Sequence, residues 1–105
     1  MKAKKESQPC LIMLKALADE TRWRVVRELL ADSLTVNEIT HRLGAEQCNV
    51  SKHIRILREA GIVGTERDGR FVRCAIAPAF RKRLAKNQKT LDLGCCSFRF
   101  SPPAK

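Results

Sequence analysis

The segment LTVNEITHRLGAEQCNVSKHIRILREAGIV (residues 34–63), followed by GTERDGRFVRCAIAP (64–78), decides the fold. Thr35 can cap a first helix, and Glu38, three residues later, can complete a capping box. Gly44 then supplies a turn before a second helix begins. Each helix has one apolar row at helical spacing, made of Val36, Ile39 and Leu43 in the first and Val50, Ile54 and Leu57 in the second. The segment therefore predicts two helices joined by a tight turn.

A β-hairpin is predicted directly after these helices. Its strands are Ile62 to Arg67 and Arg70 to Ile76, joined by the two-residue turn Asp68-Gly69. Asp-Gly between two such runs is the strongest short hairpin signal. Two helices around a glycine-containing turn, followed by a basic hairpin, are typical of a winged helix-turn-helix that binds DNA. The predicted fold class is α+β and mainly α, with about five helices and one hairpin wing.

The remaining helices are predicted from caps and apolar rows. The first begins at Pro9, the second is capped by Asp19, and the last runs from Pro78 to Asp92 with Gly94 after it. The predicted organisation is a flexible basic arm (1–8), a winged helix-turn-helix domain (9–94) and a cysteine-containing tail (95–105). The first and last helices have apolar rows outside the helix-turn-helix. We therefore expect them to pack against each other or against a second copy of the chain.

The charge balance agrees with a DNA-binding function. The chain has 21 Lys and Arg against 11 Asp and Glu, a formal net charge of +10. A charge of this sign suits a phosphate backbone, because each neutralised phosphate releases counterions. A ribosomal protein would have a similar charge, so the helix-turn-helix pattern decides between the two. An enzyme is not expected, since no Ser-His-Asp set, evident carboxylate pair or phosphate loop is present.

Targeting and cysteine usage indicate a cytoplasmic protein. The sequence shows no signal peptide and no apolar run long enough to span a membrane, so we expect no membrane partner. The five cysteines should remain thiols in a reducing compartment. They are therefore candidate ligands or redox groups, and no cofactor is required by the pattern.

The predicted DNA contacts lie on the second motif helix and on the wing. A rotation of about 100° per residue directs the apolar row inward and leaves the opposite face toward the major groove. Amide side chains there can read adenine edges, while hydroxyl and cationic side chains can bind bases or phosphates. Arginines beside the hairpin tip should reach the adjacent minor groove or its phosphates. The predicted DNA-binding residues are Gln47, Asn49, Ser51, Lys52, His53, Arg55, Arg67 and Arg70.

A second candidate site consists of cysteines. Cys95 and Cys96 are adjacent just past the predicted last helix, and neighbouring thiolates can chelate a soft ion. The ions considered are arsenic(III), antimony(III), cadmium and lead. A trivalent metalloid prefers three sulfurs, and Cys10 is the candidate third ligand. Cys74 is expected to be a buried small hydrophobe, and Cys48 to be a local substitution on the groove face.

Three stretches closely resemble the ArsR/SmtB family of bacterial metal- and stress-responsive repressors. They are KALADETRWRVVRELL (15–30), NVSKHIRILREAGIV (49–63) and RDGRFVR (67–73). The resemblance implies a homodimer formed by the first and last helices. It also implies repression by binding an operator, expected to be an imperfect palindrome of double-stranded DNA, and release when an inducer binds.

The resemblance also limits the inducer. The cadmium and lead sensors of the family have two cysteines in the first motif helix, where this chain has Val36-Asn37-Glu38. The zinc, cobalt and nickel sensors use Asp and His on the last helix, but no histidine follows His53. Vicinal cysteines at the end of the last helix, as at Cys95-Cys96, resemble those of members that respond to arsenite or organoarsenicals. The alternative is a repressor of the same fold that senses oxidants or reactive sulfur through these thiols.

Overall fold

The computed structural model describes residues 2–84, 90–93 and 96–99, with side chains from residue 10 onward. Helix α1 spans Lys2–Leu17 and α2 spans Glu20–Ala31. Helix α1 begins seven residues earlier than predicted, so the expected flexible arm forms the first half of this helix. The arm was predicted because its residues are polar and show no apolar row. Pro9, expected at the first helical position, lies inside α1 instead.

The cap predicted for α2 is present. Asp19 precedes the helix, and its Oδ1 atom accepts a hydrogen bond from the backbone N–H of Arg22 at 3.1 Å. This bond lowers the pKa of the Asp19 carboxyl, because it stabilises the charged form. The buried face of α2 consists of Val25, Val26 and Leu29. It places α2 against the helix-turn-helix on the core side.

The helix-turn-helix consists of α3 (Val36–Leu43) and α4 (Gln47–Glu59). The capping box is confirmed: Thr35 Oγ1 accepts from the Glu38 N–H at 3.1 Å, and Glu38 Oε1 accepts from the Thr35 N–H at 2.9 Å. Gly44 ends α3 with a φ of 64°, a left-handed conformation that glycine adopts without steric cost. This turn directs α4 away from α3 and fixes the face that α4 presents to solvent.

A three-stranded antiparallel sheet forms the wing, in the order β1-β3-β2. Its strands are β1 (Leu34–Thr35), β2 (Val63–Asp68) and β3 (Phe71–Ile76). Asp68 pairs with Phe71, so the two turn residues are Gly69 and Arg70, one position later than predicted. Gly69 has a φ of 65°, and a glycine at the first central position satisfies a two-residue hairpin turn. Arg70 therefore lies at the tip of the wing.

The C-terminal part differs from the predicted last helix. Helix α5 spans only Pro78–Arg81, and strands β4 (Thr90–Asp92) and β5 (Ser97–Arg99) follow as a separate antiparallel pair. Leu84 forms an isolated bridge to Leu91. Their spacing of seven residues, read as one side of a helix, thus belongs to a cross-strand pair. Gly94, expected to close the helix, lies outside the described residues.

One hydrophobic core joins these elements. It includes side chains from α1, α2, the helix-turn-helix, the wing and the C-terminal strands, the largest being Phe80, Leu29, Ile39, Leu57, Ile62 and Leu91. Trp23 of α2 meets Phe98 of β5 edge to face, with ring centroids 6.0 Å apart. This contact holds the C-terminal strands against α2. Within the described residues, no helix has the length and apolar character needed to span a membrane.

Candidate nucleic-acid interface

Helix α4 presents the predicted polar face to solvent. Val50, Ile54 and Leu57 are buried, so the inward row is confirmed. The exposed residues of the predicted set on this helix are Gln47, Asn49, Ser51, Lys52 and Arg55. Most α4 side chains that could read a base or bind a phosphate are therefore accessible.

Two adjoining clefts separate α4 from the wing. The larger, of about 450 Å³, is bordered by Lys52, Arg55 and Arg58 of α4 and by Thr65 and Val72 of the wing. Three cationic side chains at a spacing of three residues thus follow one helix face. A cleft with one basic wall and one wall of β-hairpin can accommodate a phosphodiester backbone.

The smaller cleft, of about 300 Å³, lies at the wing tip. Gln47 and Ser51 from the start of α4 border it, opposite Arg70 and Phe71 of the wing. Hydrogen-bonding side chains and a cation thus converge where a helix entering the major groove would meet the adjacent backbone.

Two predicted contacts on α4 have a different position from the rest. Asn49 is exposed but lies one turn before His53, on the flank of α4 opposite to Ser51 and Arg55. His53 is half-buried, and its Nδ1 atom lies 3.1 Å from Nη1 of Arg22. The prediction of His53 as a DNA contact is therefore not supported by its position, because the side chain faces α2.

The structure adds one cation that sequence reasoning missed. Arg58 is exposed and borders the larger cleft with Lys52 and Arg55. The repeat of basic residues every three positions could have identified it. In the wing, Arg67 is exposed at the end of β2 and Arg70 at the tip, as expected from their places beside the turn.

Arg73 of the wing contacts other residues of the protein. Its Nη1 atom donates to the Ser33 carbonyl oxygen at 3.5 Å, and its Nε atom lies 3.8 Å from Asp68 Oδ2. The first contact ties β3 to the segment before β1, and the second ties it to the end of β2. Arg73 therefore stabilises the wing, while Arg67 and Arg70 project from it.

The four described cysteines differ in exposure and in oxidation state. Cys48 is exposed on α4. Cys74 is fully buried in β3, as predicted, and burial raises the pKa of its thiol to about 11. Cys10 of α1 and Cys96 are half-buried and pack against the core. Cys10 is disulfide-bonded, whereas Cys48, Cys74 and Cys96 are in the thiol form. The expectation that all five cysteines remain thiols is therefore wrong for Cys10.

The predicted inducer site consists of Cys10, Cys95 and Cys96. Cys95 lies outside the described residues. Among residues 2–84, 90–93 and 96–99, no group of three His, Cys, Asp or Glu side chains is arranged to hold a metal ion. Cys10 of α1 and Cys96 before β5 both pack against the hydrophobic core.

Comparison with known proteins gives a consistent set of relatives. The model of the family described as bacterial regulatory protein, arsR family, matches residues 19–65, from the cap of α2 into β2. The transcriptional activator HlyU of Vibrio cholerae is 35% identical over 68 residues, which are 65% of this chain and 63% of HlyU. The arsenic resistance transcriptional regulator ArsR1 of Pseudomonas putida is 40% identical over 68 residues, 64% of this chain and 53% of ArsR1.

The similarity to HlyU extends to the fold. The solved structure of HlyU from Vibrio cholerae superposes with a TM-score of 0.66 at 33% identity, covering 70% of this chain and 79% of HlyU. The chain spans less than two thirds of the length of either curated relative.

Proposed function

Because the chain belongs to the ArsR family of bacterial regulatory proteins, we propose that it is a transcriptional repressor that binds operator DNA as a homodimer. The observation that carries this proposal is the pair of clefts between α4 and the wing, bordered by Lys52, Arg55, Arg58 and Arg70. Operator binding would place its activity in the cytoplasm, with the DNA.

The proposed docking places α4 in the major groove. Gln47 and Ser51, at the start of the helix, meet base edges, while Lys52 and Arg55 neutralise the phosphates beside them. The backbone that leaves the groove passes between α4 and the hairpin. Arg67 and Arg70 then reach the next minor groove or its phosphates. The net charge of +10 supports this docking, because a protein with a net positive charge attracts a polyanion such as DNA.

A second copy of the chain is proposed to pack against α1. Leu11 and Ile12 are exposed by 45% and 46%, an apolar surface that a monomer leaves in water. Helix α5 is only four residues long. We therefore propose that strands β4 and β5, in place of a last helix, form the second part of the interface. A two-fold dimer presents two α4 helices about 34 Å apart, one turn of DNA, which requires an imperfect palindrome.

We propose that thiol chemistry at Cys10, Cys95 and Cys96 releases the operator. A soft trivalent ligand such as methylarsenite, arsenite or antimony(III) would bridge these sulfurs, with cadmium or lead as further ligands. Cys10 and Cys96 support this proposal because both are half-buried and pack against the core, one from α1 and one from the C-terminal segment. A ligand there connects the dimer helix with the C-terminal strands and can change the angle between the two α4 helices.

One observation favours a second candidate, a repressor that senses oxidants or reactive sulfur. Cys10 is in a disulfide in this structure. Disulfide formation requires an oxidant to accept two electrons, and reduction by a dithiol restores both thiols. The two candidates use the same cysteines and differ in the ligand, so they can be separated by experiment.

The inducer experiment measures operator affinity by fluorescence anisotropy, first with the reduced protein. Methylarsenite, arsenite, antimonite, cadmium, lead and a persulfide donor are then titrated separately. A metalloid sensor should release DNA with the metalloid under reducing conditions, by about 5- to 150-fold in affinity for a typical allosteric coupling. A redox sensor should release it with the persulfide donor and recover with dithiothreitol alone.

Matched variants locate the site. Cys10→Ser and the double variant Cys95→Ser/Cys96→Ser are compared with Cys48→Ser, which alters a cysteine on α4 away from the core. If the double variant releases DNA at the same inducer concentration as the wild type, the sensing site lies elsewhere. If Cys10→Ser abolishes the response to arsenite and preserves that to methylarsenite, Cys10 is the third sulfur ligand.

A further inference from the structure

The guanidinium of Arg22 lies where α1, α2 and α4 meet. Its Nε atom donates to the Ala16 carbonyl oxygen of α1 at 2.6 Å. Its Nη1 atom is 3.1 Å from Nδ1 of His53 on α4 and 3.8 Å from Oδ2 of Asp19. The Arg22 side chain is only 15% exposed. One buried cation therefore links the end of the proposed dimer helix to the proposed recognition helix.

The contact between Arg22 and His53 depends on the protonation state of the imidazole. A guanidinium has donors and no acceptor, so the hydrogen bond forms only when Nδ1 of His53 carries no proton. The bond therefore requires the neutral imidazole with its proton on Nε2. When His53 is protonated, Nδ1 becomes a donor, and two cations face each other at hydrogen-bond distance.

Charged side chains from α1, α2 and α4 lie around the contact between Arg22 and His53. From α2, Arg22 and Asp19 are the charged side chains that interact with it. From α1, Lys15 borders the same groove as Arg22, and from α4 Glu59 borders it as well. The positions of α4 one turn before and after His53 are uncharged: Asn49, Val50, Ile56 and Leu57. Protonation thus adds a positive charge at hydrogen-bond distance from the Arg22 guanidinium.

We propose that Arg22 is a positioning residue for the recognition helix. It holds α4 to the end of α1 through neutral His53, and protonation of His53 loosens this link and weakens operator binding. The inference rests on the proposed function in one respect, that α4 enters the DNA groove. Neither side chain borders the clefts between α4 and the wing. Their effect on DNA therefore acts through the placement of α4.

The first test needs no DNA. A long-range proton–nitrogen NMR spectrum of the reduced protein at about pH 8 reports which imidazole nitrogen of His53 carries the proton. The proposal predicts a proton on Nε2 and none on Nδ1, and loss of this pattern in Arg22→Ala. A proton on Nδ1 at this pH would overturn the proposal, whatever the protein does with DNA.

The second test compares operator affinity at about pH 8 and about pH 5.5, across the range in which histidine titrates. Wild-type affinity should fall about tenfold, equivalent to about 1.4 kcal/mol, while affinity for an unrelated duplex should not fall. His53→Asn keeps an acceptor near the Nδ1 position and cannot titrate, so its two affinities should be equal. Arg22→Ala should bind more weakly at pH 8 and lose the pH dependence.

The outcomes separate this proposal from the function it rests on. If no duplex is bound at either pH but the NMR pattern is present, the DNA function fails and the Arg22–His53 link stands. If the wild type binds equally at both pH values, or His53→Asn keeps the wild-type pH dependence, the link does not control α4. Should Arg22→Ala fail to fold, Arg22→Lys retains the charge with a single donor group and should show an intermediate loss.

Discussion

Replacing Arg70 by alanine tests whether the wing touches DNA. Arg70 occupies the tip of the hairpin, is exposed and borders the smaller cleft opposite Gln47 and Ser51. Because Gly69 has the positive φ of the turn, the substitution should leave the hairpin conformation unchanged. Its effect should therefore be confined to binding.

The magnitude follows from the number of lost phosphate contacts. Each neutralised phosphate contributes about 0.9 to the slope of log affinity against log salt. A dimer has two Arg70 side chains, so the slope should flatten by about 1.8. If the affinities of the wild type and of Arg70→Ala converge at about 1 M salt, this slope difference makes the variant bind about 60-fold more weakly at about 0.1 M salt.

The assay is fluorescence anisotropy with a labelled operator duplex over about 50 to 200 mM salt, the range in which such contacts dominate. Lys82→Ala is the matched control, since Lys82 is exposed at the end of α5 and borders neither cleft. It removes the same charge and should change the slope much less. An Arg70→Ala protein with the wild-type slope and affinity would show that the wing does not contact DNA.

Three further predictions concern reactivity and stability. Because burial raises the pKa of Cys74 to about 11, iodoacetamide at about pH 8 should label exposed Cys48 and leave Cys74 unmodified until the protein unfolds. The same shift, from 9.0, implies that the contribution of Cys74 to the free energy of unfolding is constant below about pH 9 and falls toward pH 11, measurable by urea titration. Thr35→Ala should lower the free energy of unfolding by about 1 kcal/mol, because the cap of α3 is lost. Thr40→Ala within α3 should change this free energy by less than about 0.5 kcal/mol. Equal losses for the two threonine variants would contradict the capping argument.

The sequence predicted the helix-turn-helix well because its determinants are local. Thr35 and Glu38 satisfy each other's backbone within one turn, and Gly44 ends α3 through its own conformation. The inward row of α4 follows from helical periodicity alone. The exposed residues of the candidate site on α4 are those that remain once that row is buried, so the exposure of most of them could also be predicted.

The C-terminal segment could not be predicted in the same way. Leu84 and Leu91 are separated by seven residues, a spacing that fits a helix face and equally fits the two sides of a bridge. The contact between Trp23 and Phe98, which places the C-terminal strands, joins residues far apart in sequence. Periodicity contains no information about such a contact. The predicted hairpin turn was wrong by one residue, because Asp68-Gly69 and Gly69-Arg70 both contain the required glycine and local sequence does not distinguish them.

The position of His53 also depends on tertiary contacts. A histidine beside an apolar row can face a groove or a neighbouring helix, and its partner Arg22 lies 31 residues earlier. Local pattern therefore placed His53 with the DNA contacts, whereas packing of α4 on α2 directs it away from them.

The most direct test of the central claim is selection of binding sites from a random duplex library by the reduced protein. The account predicts that the selected sequences contain two inverted half-sites about 10 base pairs apart, matching two α4 helices related by a two-fold axis. Gln47→Ala should relax the preference at one position of each half-site, with about 1–3 kcal/mol less discrimination there. Selection that enriches no sequence, or that enriches a single half-site bound by a monomer, would contradict the account.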